Sequence, residues 1–264
     1  MGIGGKKSIK MKKFSLFSMM LCFSACLVFT SCDKDKDNEN PAGGAVSKIE
    51  GTVVNGSDYD VDNIKAMVYE IINVGDGDEG YWYSERVEIA SSNFTNNRFS
   101  LDLPATLDDK YLEFIFDDEM DLSDEEAKGT FMNLFGYKSN ERVEYLEYSR
   151  MPDISATKIT FYYSAYIYMD RDVKVTGEYS DEDGDTEKFN MNLKKGWNLM
   201  YGTNVYDLVS DVEIATFTTT PISGYKWYFD AEDYFEEHFD MKSASLKSSP
   251  IANNKSKMFQ RLKK

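Results

Sequence analysis

The chain has little cysteine and a single histidine, and both shortages exclude kinds of chemistry. Its three cysteines are Cys22, Cys26 and Cys32, and its only histidine is His238. After residue 32 the chain has no thiol for a disulfide, a cysteine-based zinc cluster or a cysteine nucleophile. A Ser-His-Asp arrangement would have to use His238, which lies in a short acidic segment, 231–241. We therefore expect stability from core burial and no catalytic residues.

Long hydrophobic runs are also scarce, and the one present stands near the N-terminus. Lysines precede Phe14, and the apolar run from Phe14 to Thr30 is shorter than most membrane-spanning helices. This order of basic and apolar segments is typical of a secretion signal. We interpret 1–31 as a signal peptide and 32–46, rich in Asp, Asn and Gly, as an acidic flexible tether.

The junction Thr30-Ser31-Cys32 resembles the signal of bacterial lipoproteins, which are cleaved before an acylated cysteine. The resemblance implies lipid attachment at Cys32. Even two acyl chains hold a protein stably on a membrane. The acidic run after the cysteine resembles the tethers of outer-membrane lipoproteins that face the cell surface. Ordinary secretion with cleavage near Ala25 or Ser31, and an uncleaved anchor, remain open.

Basic residues are depleted between the two ends of the chain. All 46 acidic side chains lie in 32–241, whereas 1–31 and 242–264 contain basic residues and no acidic ones. A strongly negative surface repels nucleic acid and anionic lipid headgroups. We expect no nucleic-acid partner and a soluble, monomeric folded part. The basic C-terminal segment is too short for a stable isolated helix, and we expect it to be disordered.

Aromatic residues and period-two patterns are abundant. The chain contains 17 Phe, 18 Tyr and 3 Trp, which favours strands over helices. Apolar residues recur at alternate positions, which predicts half-buried strands, at Ile64, Ala66 and Val68; at Phe99, Leu101 and Leu103; and at Val212 and Ile214. We predict a mainly β protein with two antiparallel β-sandwich-like halves, 47–118 and 141–230. One large sandwich or barrel is the alternative.

Two segments have helical patterns. The sequence 123–126, SDEE, has the form of a capping box, and Phe131, Leu134 and Phe135 follow on one helical face. We therefore predict a short helix within 119–140 that links the two β halves. At the other end of the chain, we expect 231–264 to form a short acidic helix followed by the basic tail.

Two loose resemblances accompany the β pattern. The segments 49–53 (IEGTV) and 97–104 (NRFSLDLP) resemble the small sandwiches related to transthyretin and to carboxypeptidase regulatory domains. The segments 169–177 (MDRDVKVTG) and 193–198 (LKKGWN) resemble a module of surface lipoproteins from gut bacteria that have no assigned activity. The resemblance implies a lipoprotein class and adds no mechanism.

One aspartate-rich loop is a candidate calcium site. Asp181, Asp183 and Asp185 alternate around Gly184, and oxygen ligands at alternate positions can converge on Ca²⁺ where a loop curls. The EF-hand pattern fails, because its twelfth position is Asn192. A solvated hairpin tip is the alternative. The sequence predicts no other cofactor.

Three tryptophans are candidates for ligand binding. Trp82, Trp197 and Trp227 would stack on sugar rings if they formed an exposed platform, and would pack in the cores otherwise. The sequence thus favours a surface-tethered lipoprotein with a non-catalytic binding or structural role, including glycan capture. A carboxylate-dependent glycoside hydrolase is one alternative, since its two acids come from distant strands. An interaction subunit of an envelope assembly is the other.

Overall fold

Alternating apolar residues form thirteen strands in the part of the chain that the structure describes. The computed structural model describes residues 45–74, 81–116, 120–181 and 184–238, with only the backbone for 71–74, 81–84 and 236–238. The elements are β1 (Lys48–Thr52), β2 (Asn63–Val74), β3 (Tyr81–Asn93), β4 (Arg98–Asp102), β5 (Asp121–Leu122), β6 (Gly129–Lys138), β7 (Glu141–Ile154), β8 (Lys158–Met169), β9 (Val173–Ser180), β10 (Thr186–Leu193), β11 (Gly196–Asp207), β12 (Val212–Thr218), β13 (Lys226–Phe229) and α1 (Ala231–His238).

The strands form one small sheet and one large sheet. In the small sheet, β1 pairs with β4. The large sheet has the order β3-β2-β6-β7-β8-β11-β12-β10-β9-β5, and β13 pairs with β7. Among these pairs only β10 and β12 run parallel. The prediction of a mainly β, sandwich-like fold is confirmed.

The large sheet changes neighbours at β6, which pairs with β2 along one edge and with β8 and then β7 along the other. Residues Gly129 to Met132 of β6 pair with β8, whereas Leu134 to Lys138 pair with β7. A register irregularity follows Gly136. This change of partner divides the large sheet into a first part around β2, β7 and β13 and a second part around β8, β11, β12 and β10.

The central strands β8 and β11 separate two hydrophobic cores. Tyr168 and Trp197 face the first core, where they meet residues of β1 and β2 such as Ile49 and Ile64. Met169, which follows Tyr168 on β8, faces the second core together with the apolar side chains of β9, β10 and β12. Side chains alternate between the faces of a strand, so both cores depend on the same two strands. The described residues belong to one compact unit.

The helix predicted within 119–140 is wrong. The SDEE segment forms a turn, in which the Glu126 N–H donates to Asp124 Oδ1 (3.0 Å), and Gly129–Lys138 is strand β6. The spacing of Phe131, Leu134 and Phe135 is compatible with one helical face. In the structure, however, the backbone of β6 forms its hydrogen bonds by pairing with β2, β7 and β8. Sheet partners distant in sequence outweigh the local capping signal here. The helix expected from residue 231 is α1.

The LKKGWN motif builds the turn that enters β11. The buried Asn198 amide accepts from the Lys194 N–H (2.8 Å) and donates to the carbonyls of Lys194 (2.7 Å) and Gly196 (2.9 Å). Gly196 has φ +94°, a conformation that side chains other than glycine rarely adopt. The Asp172 carboxylate accepts from the Lys195 N–H (2.9 Å), and this bond lowers the pKa of Asp172. The motif is therefore architectural.

Candidate functional site

Three β-hairpins close at the same end of the second part of the large sheet. The antiparallel registers of these strands place the β7–β8, β9–β10 and β11–β12 connections at this end. We call this region the hairpin-tip end and define it as the described residues of 155–158, 181–185 and 207–213. Loops that a rigid sheet holds together are a common location for binding sites.

Hydrogen bonds join the three tips to one another. The Leu208 N–H donates to the Thr157 carbonyl (2.8 Å), which links the β11–β12 tip to the β7–β8 tip. The Glu213 N–H donates to Asp185 Oδ1 (2.8 Å), which links the start of β12 to the β9–β10 tip. The tips therefore form one continuous edge, and the loops keep a fixed relative placement.

The hairpin-tip end carries both apolar and acidic side chains at its surface. Val209 is 78% exposed, and Leu208 and the adjacent Ile154 are also exposed. The Asp207 carboxylate accepts from the N–H groups of Val209 (2.9 Å) and Ser210 (3.2 Å), and these bonds lower its pKa. This mixture of aliphatic and carboxylate groups suits a ligand with both apolar faces and hydrogen-bond donors.

Behind the tips, a polar cluster borders the second core. It consists of Tyr163 on β8, Asn204 on β11, Glu213 on β12 and Glu187 on β10. The Tyr163 Oη and Asn204 Oδ1 atoms are shielded from solvent and have no hydrogen-bond partner within the described residues. Burial, and then the charges of Glu187 and Glu213, raise the pKa of Tyr163 well above its usual range.

The strands bring this cluster together by leaving small residues between its members. Tyr163 lies opposite Gly202, and the phenol ring leaves no room for a Cβ there. Asn204 pairs with Ala215, which pairs in turn with Glu187. Asn204 Nδ2 donates to Glu213 Oε1. The cluster has little signature in the sequence, because its only signal is a Tyr and an Asn at inward positions of strands that otherwise alternate normally.

The aspartate loop at the β9–β10 connection is a hydrogen-bonded turn. Asp181 Oδ1 accepts from the Asp185 N–H (3.0 Å), and the Gly184 N–H donates to the Asp181 carbonyl (3.2 Å). Asp183 lies outside the described residues. Across the described ranges, no group of three or more His, Cys, Asp or Glu side chains could hold a metal ion. Calcium binding by Asp181, Asp183 and Asp185 stays a prediction from the sequence.

Two of the three tryptophans are core residues, so the exposed platform that the sequence left open does not form at these two positions. Trp197 is 1% exposed, and its Nε1 donates to the Pro104 carbonyl (3.0 Å). Trp227 is 6% exposed and packs edge-on against Phe99, with 5.1 Å between ring centroids. Trp82 lies on β3 opposite Asn73, and its side chain is outside the described part. Buried rings cannot stack on a sugar, so Trp197 and Trp227 hold β1, β8, β11 and β13 together.

Two further candidate residues, Cys32 and His238, have no described side chain. Cys32 lies outside the described residues, and so does the expected signal peptide. His238 ends α1, and only its backbone is described. Within the described ranges, no helix is long and apolar enough to cross a membrane.

A second electrostatic feature lies where β13 meets α1. The Asp230 carboxylate accepts weakly from the Asp233 N–H (3.4 Å) at the start of the helix. Burial raises the pKa of Asp230 to about 6, and the nearby charges of Asp233, Glu144 and Glu147 add to this rise. The folded chain thus binds a proton at Asp230 more tightly than the unfolded chain does.

We predict that Asp230→Asn stabilises the protein at neutral pH. The pKa of Asp230 is higher in the folded chain than in the unfolded chain. Protonated Asp230 therefore stabilises the fold fully below the unfolded-state pKa near 4, and this stabilisation is lost as pH rises through about 6. At about 1.4 kcal/mol per pKa unit, this rise in pKa corresponds to about 3 kcal/mol, and solvent screening of the half-buried carboxylate reduces it to about 1 kcal/mol. Urea unfolding at pH 7.5 and pH 4 measures this difference in the free energy of unfolding between Asp230→Asn and the native chain.

Asn keeps the capping function and tolerates the positive φ of 44° at this position. The expected gain is therefore present at pH 7.5 and absent at pH 4. Equal stability of Asp230→Asn and the native chain at both pH values would contradict the electrostatic account. Asp108→Asn, on an exposed loop carboxylate, serves as the control.

Comparison of the chain with protein-family models, with curated proteins and with solved structures finds no match.

Proposed function

We propose that the protein is a surface-tethered lipoprotein with a non-catalytic binding role, and that its hairpin-tip end captures glycans of the cell envelope or its surroundings. In this proposal Cys32 carries the lipid, the tether spans 32–46, and the protein is a monomer on the outer face of the outer membrane. The tether and the hairpin-tip end belong to different parts of the chain.

One observation carries the binding proposal: three hairpin tips, joined by hydrogen bonds at Thr157, Leu208, Asp185 and Glu213, border polar atoms without partners. Buried polar atoms normally find partners, and atoms that lack one are often satisfied by a ligand or water. Preformed loops also lower the entropic cost of binding. Carboxylates and aliphatic side chains at one edge are the groups that recognise the hydroxyls and the apolar faces of sugars.

A glycan array tests the proposal. The full-length protein, purified in detergent, is screened on immobilised polysaccharides beside a variant with Leu208→Ser and Val209→Ser. Both positions are exposed, so the substitutions leave the cores intact. We expect binding to at least one glycan by the native chain and a loss of about tenfold or more in the variant. The variant Val54→Ser, at an exposed position outside the tips, is the control.

The array also separates the alternatives. Absence of binding to every glycan would contradict the proposal. Release of new reducing ends from a bound polysaccharide would favour the glycoside hydrolase. Equal binding by the native chain and the tip variant would place glycan recognition outside the hairpin-tip end.

A further inference from the structure

We infer that Tyr163, Asn204 and Glu213 form a subsite for neighbouring hydroxyl groups of a neutral sugar. This inference rests on the proposed function and adds to it the chemical class of the ligand and the residues that recognise it. The three side chains come from β8, β11 and β12, so the rigid centre of the second part of the sheet sets their positions.

The two oxygens without partners require complementary groups. The raised pKa keeps the Tyr163 hydroxyl protonated, so this group needs an acceptor for its hydrogen. Asn204 Nδ2 donates to Glu213, which leaves Asn204 Oδ1 in need of a donor. Both side chains lie beside small residues, Tyr163 opposite Gly202 and Asn204 opposite Ala215.

Hydroxyl groups suit both demands, because a hydroxyl can accept from Tyr163 and can donate to Asn204. A metal ion or an ammonium group offers no acceptor for the Tyr163 hydrogen and would leave it unsatisfied. The carboxylate of Glu213 accepts a hydrogen from the next hydroxyl on the ring. Carboxylates of an acidic sugar would meet the charges of Glu187 and Glu213, so the chemistry favours a neutral sugar.

The cluster lies close to the surface. Tyr163, Asn204, Glu187 and Glu213 are each half-buried as whole residues, although the Tyr163 and Asn204 oxygens themselves are covered. Glu213 belongs to the hairpin-tip end, and its N–H donates to Asp185 of the β9–β10 tip, so the subsite is continuous with that end.

The test is saturation-transfer NMR on the full-length protein with neutral monosaccharides at millimolar concentration, namely glucose, galactose, mannose and N-acetylglucosamine. The test variants are Tyr163→Phe and Asn204→Leu, which remove the two oxygens and keep side chains of similar size. The matched controls are Tyr145→Phe, a partly exposed tyrosine of the first part of the sheet, and Asn190→Leu, an exposed asparagine on β10. Tyr163→Phe removes a hydroxyl without a partner, so the fold should tolerate it.

We expect at least one sugar to give a signal with the native chain, and both test variants to lose tenfold or more of the affinity while both controls keep it. Retention of full affinity by the test variants, with glycan binding on the array intact, would overturn the subsite and leave the proposed function standing. In that case the two oxygens hold water only. If no sugar and no glycan bind the native chain, both the subsite and the proposed function fail.

Discussion

A Trp227→Ala variant should unfold with a free energy about 4 kcal/mol lower than that of the native chain. The indole lies between β1 and β7, where it stacks on Tyr166 and contacts Tyr148, with ring centroids 6.4 Å and 4.9 Å away. It also lies against Gly51, where no Cβ would fit. Removing the ring leaves a cavity that the surrounding strands cannot fill, and the cavity adds to the lost burial.

Urea unfolding followed by far-ultraviolet circular dichroism measures this effect. Phe114→Ala is the matched control, because Phe114 is a large aromatic residue that is 63% exposed, and its removal should change stability by about 0.5 kcal/mol or less. A loss below about 1 kcal/mol for Trp227→Ala would contradict the core assignment and restore the exposed platform.

Replacing Cys32 by alanine should abolish lipid attachment and release the protein from the membrane. The prediction follows from the basic, apolar and small-residue order that ends at Cys32, because an acylated cysteine is the anchor in that arrangement. Growth with an alkyne-labelled fatty acid, followed by fluorescent coupling and fractionation, measures both effects. The native chain should carry the label and sediment with membranes.

Cys26→Ala provides the control for the lipidation test, because Cys26 lies inside the expected signal peptide and should be absent from the mature protein. The control should keep the label in full. A label that persists in Cys32→Ala, or a native chain without label, would refute the lipid anchor. In the second case the alternatives are secretion with cleavage near Ala25 or Ser31 and an uncleaved anchor.

The sequence pattern predicts the strands well where alternation is strict. Ile64, Ala66 and Val68 are completely buried, and Leu101 is as well. The pattern is wrong for β12, where Val212 and Ile214 were expected to face the core. Ala215 faces the core instead, and Ile214 is exposed. The pairing of β12 with both β10 and β11 fixes this register, and such long-range pairing is not encoded locally.

The candidate site was not predictable for a related reason. The cluster of Tyr163, Asn204, Glu187 and Glu213 combines four strands, and the order β8-β11-β12-β10 brings together residues that are distant in the sequence. The tryptophans were the more visible candidates, but their size makes them core residues in a sheet protein. The described aspartates of 181–185 lie in the β9–β10 turn, where Asp181 accepts from the Asp185 N–H, and calcium binding there stays a prediction.

Hydrogen–deuterium exchange of the full-length protein, with and without a glycan identified on the array, measures whether the hairpin-tip end binds the glycan. We expect the glycan to slow exchange at the amides of Leu208, Glu213 and Asp185 and to leave exchange in the first part of the large sheet unchanged. Protection confined to β2 and β3, or no glycan-dependent protection anywhere, would contradict a binding role for the hairpin-tip end.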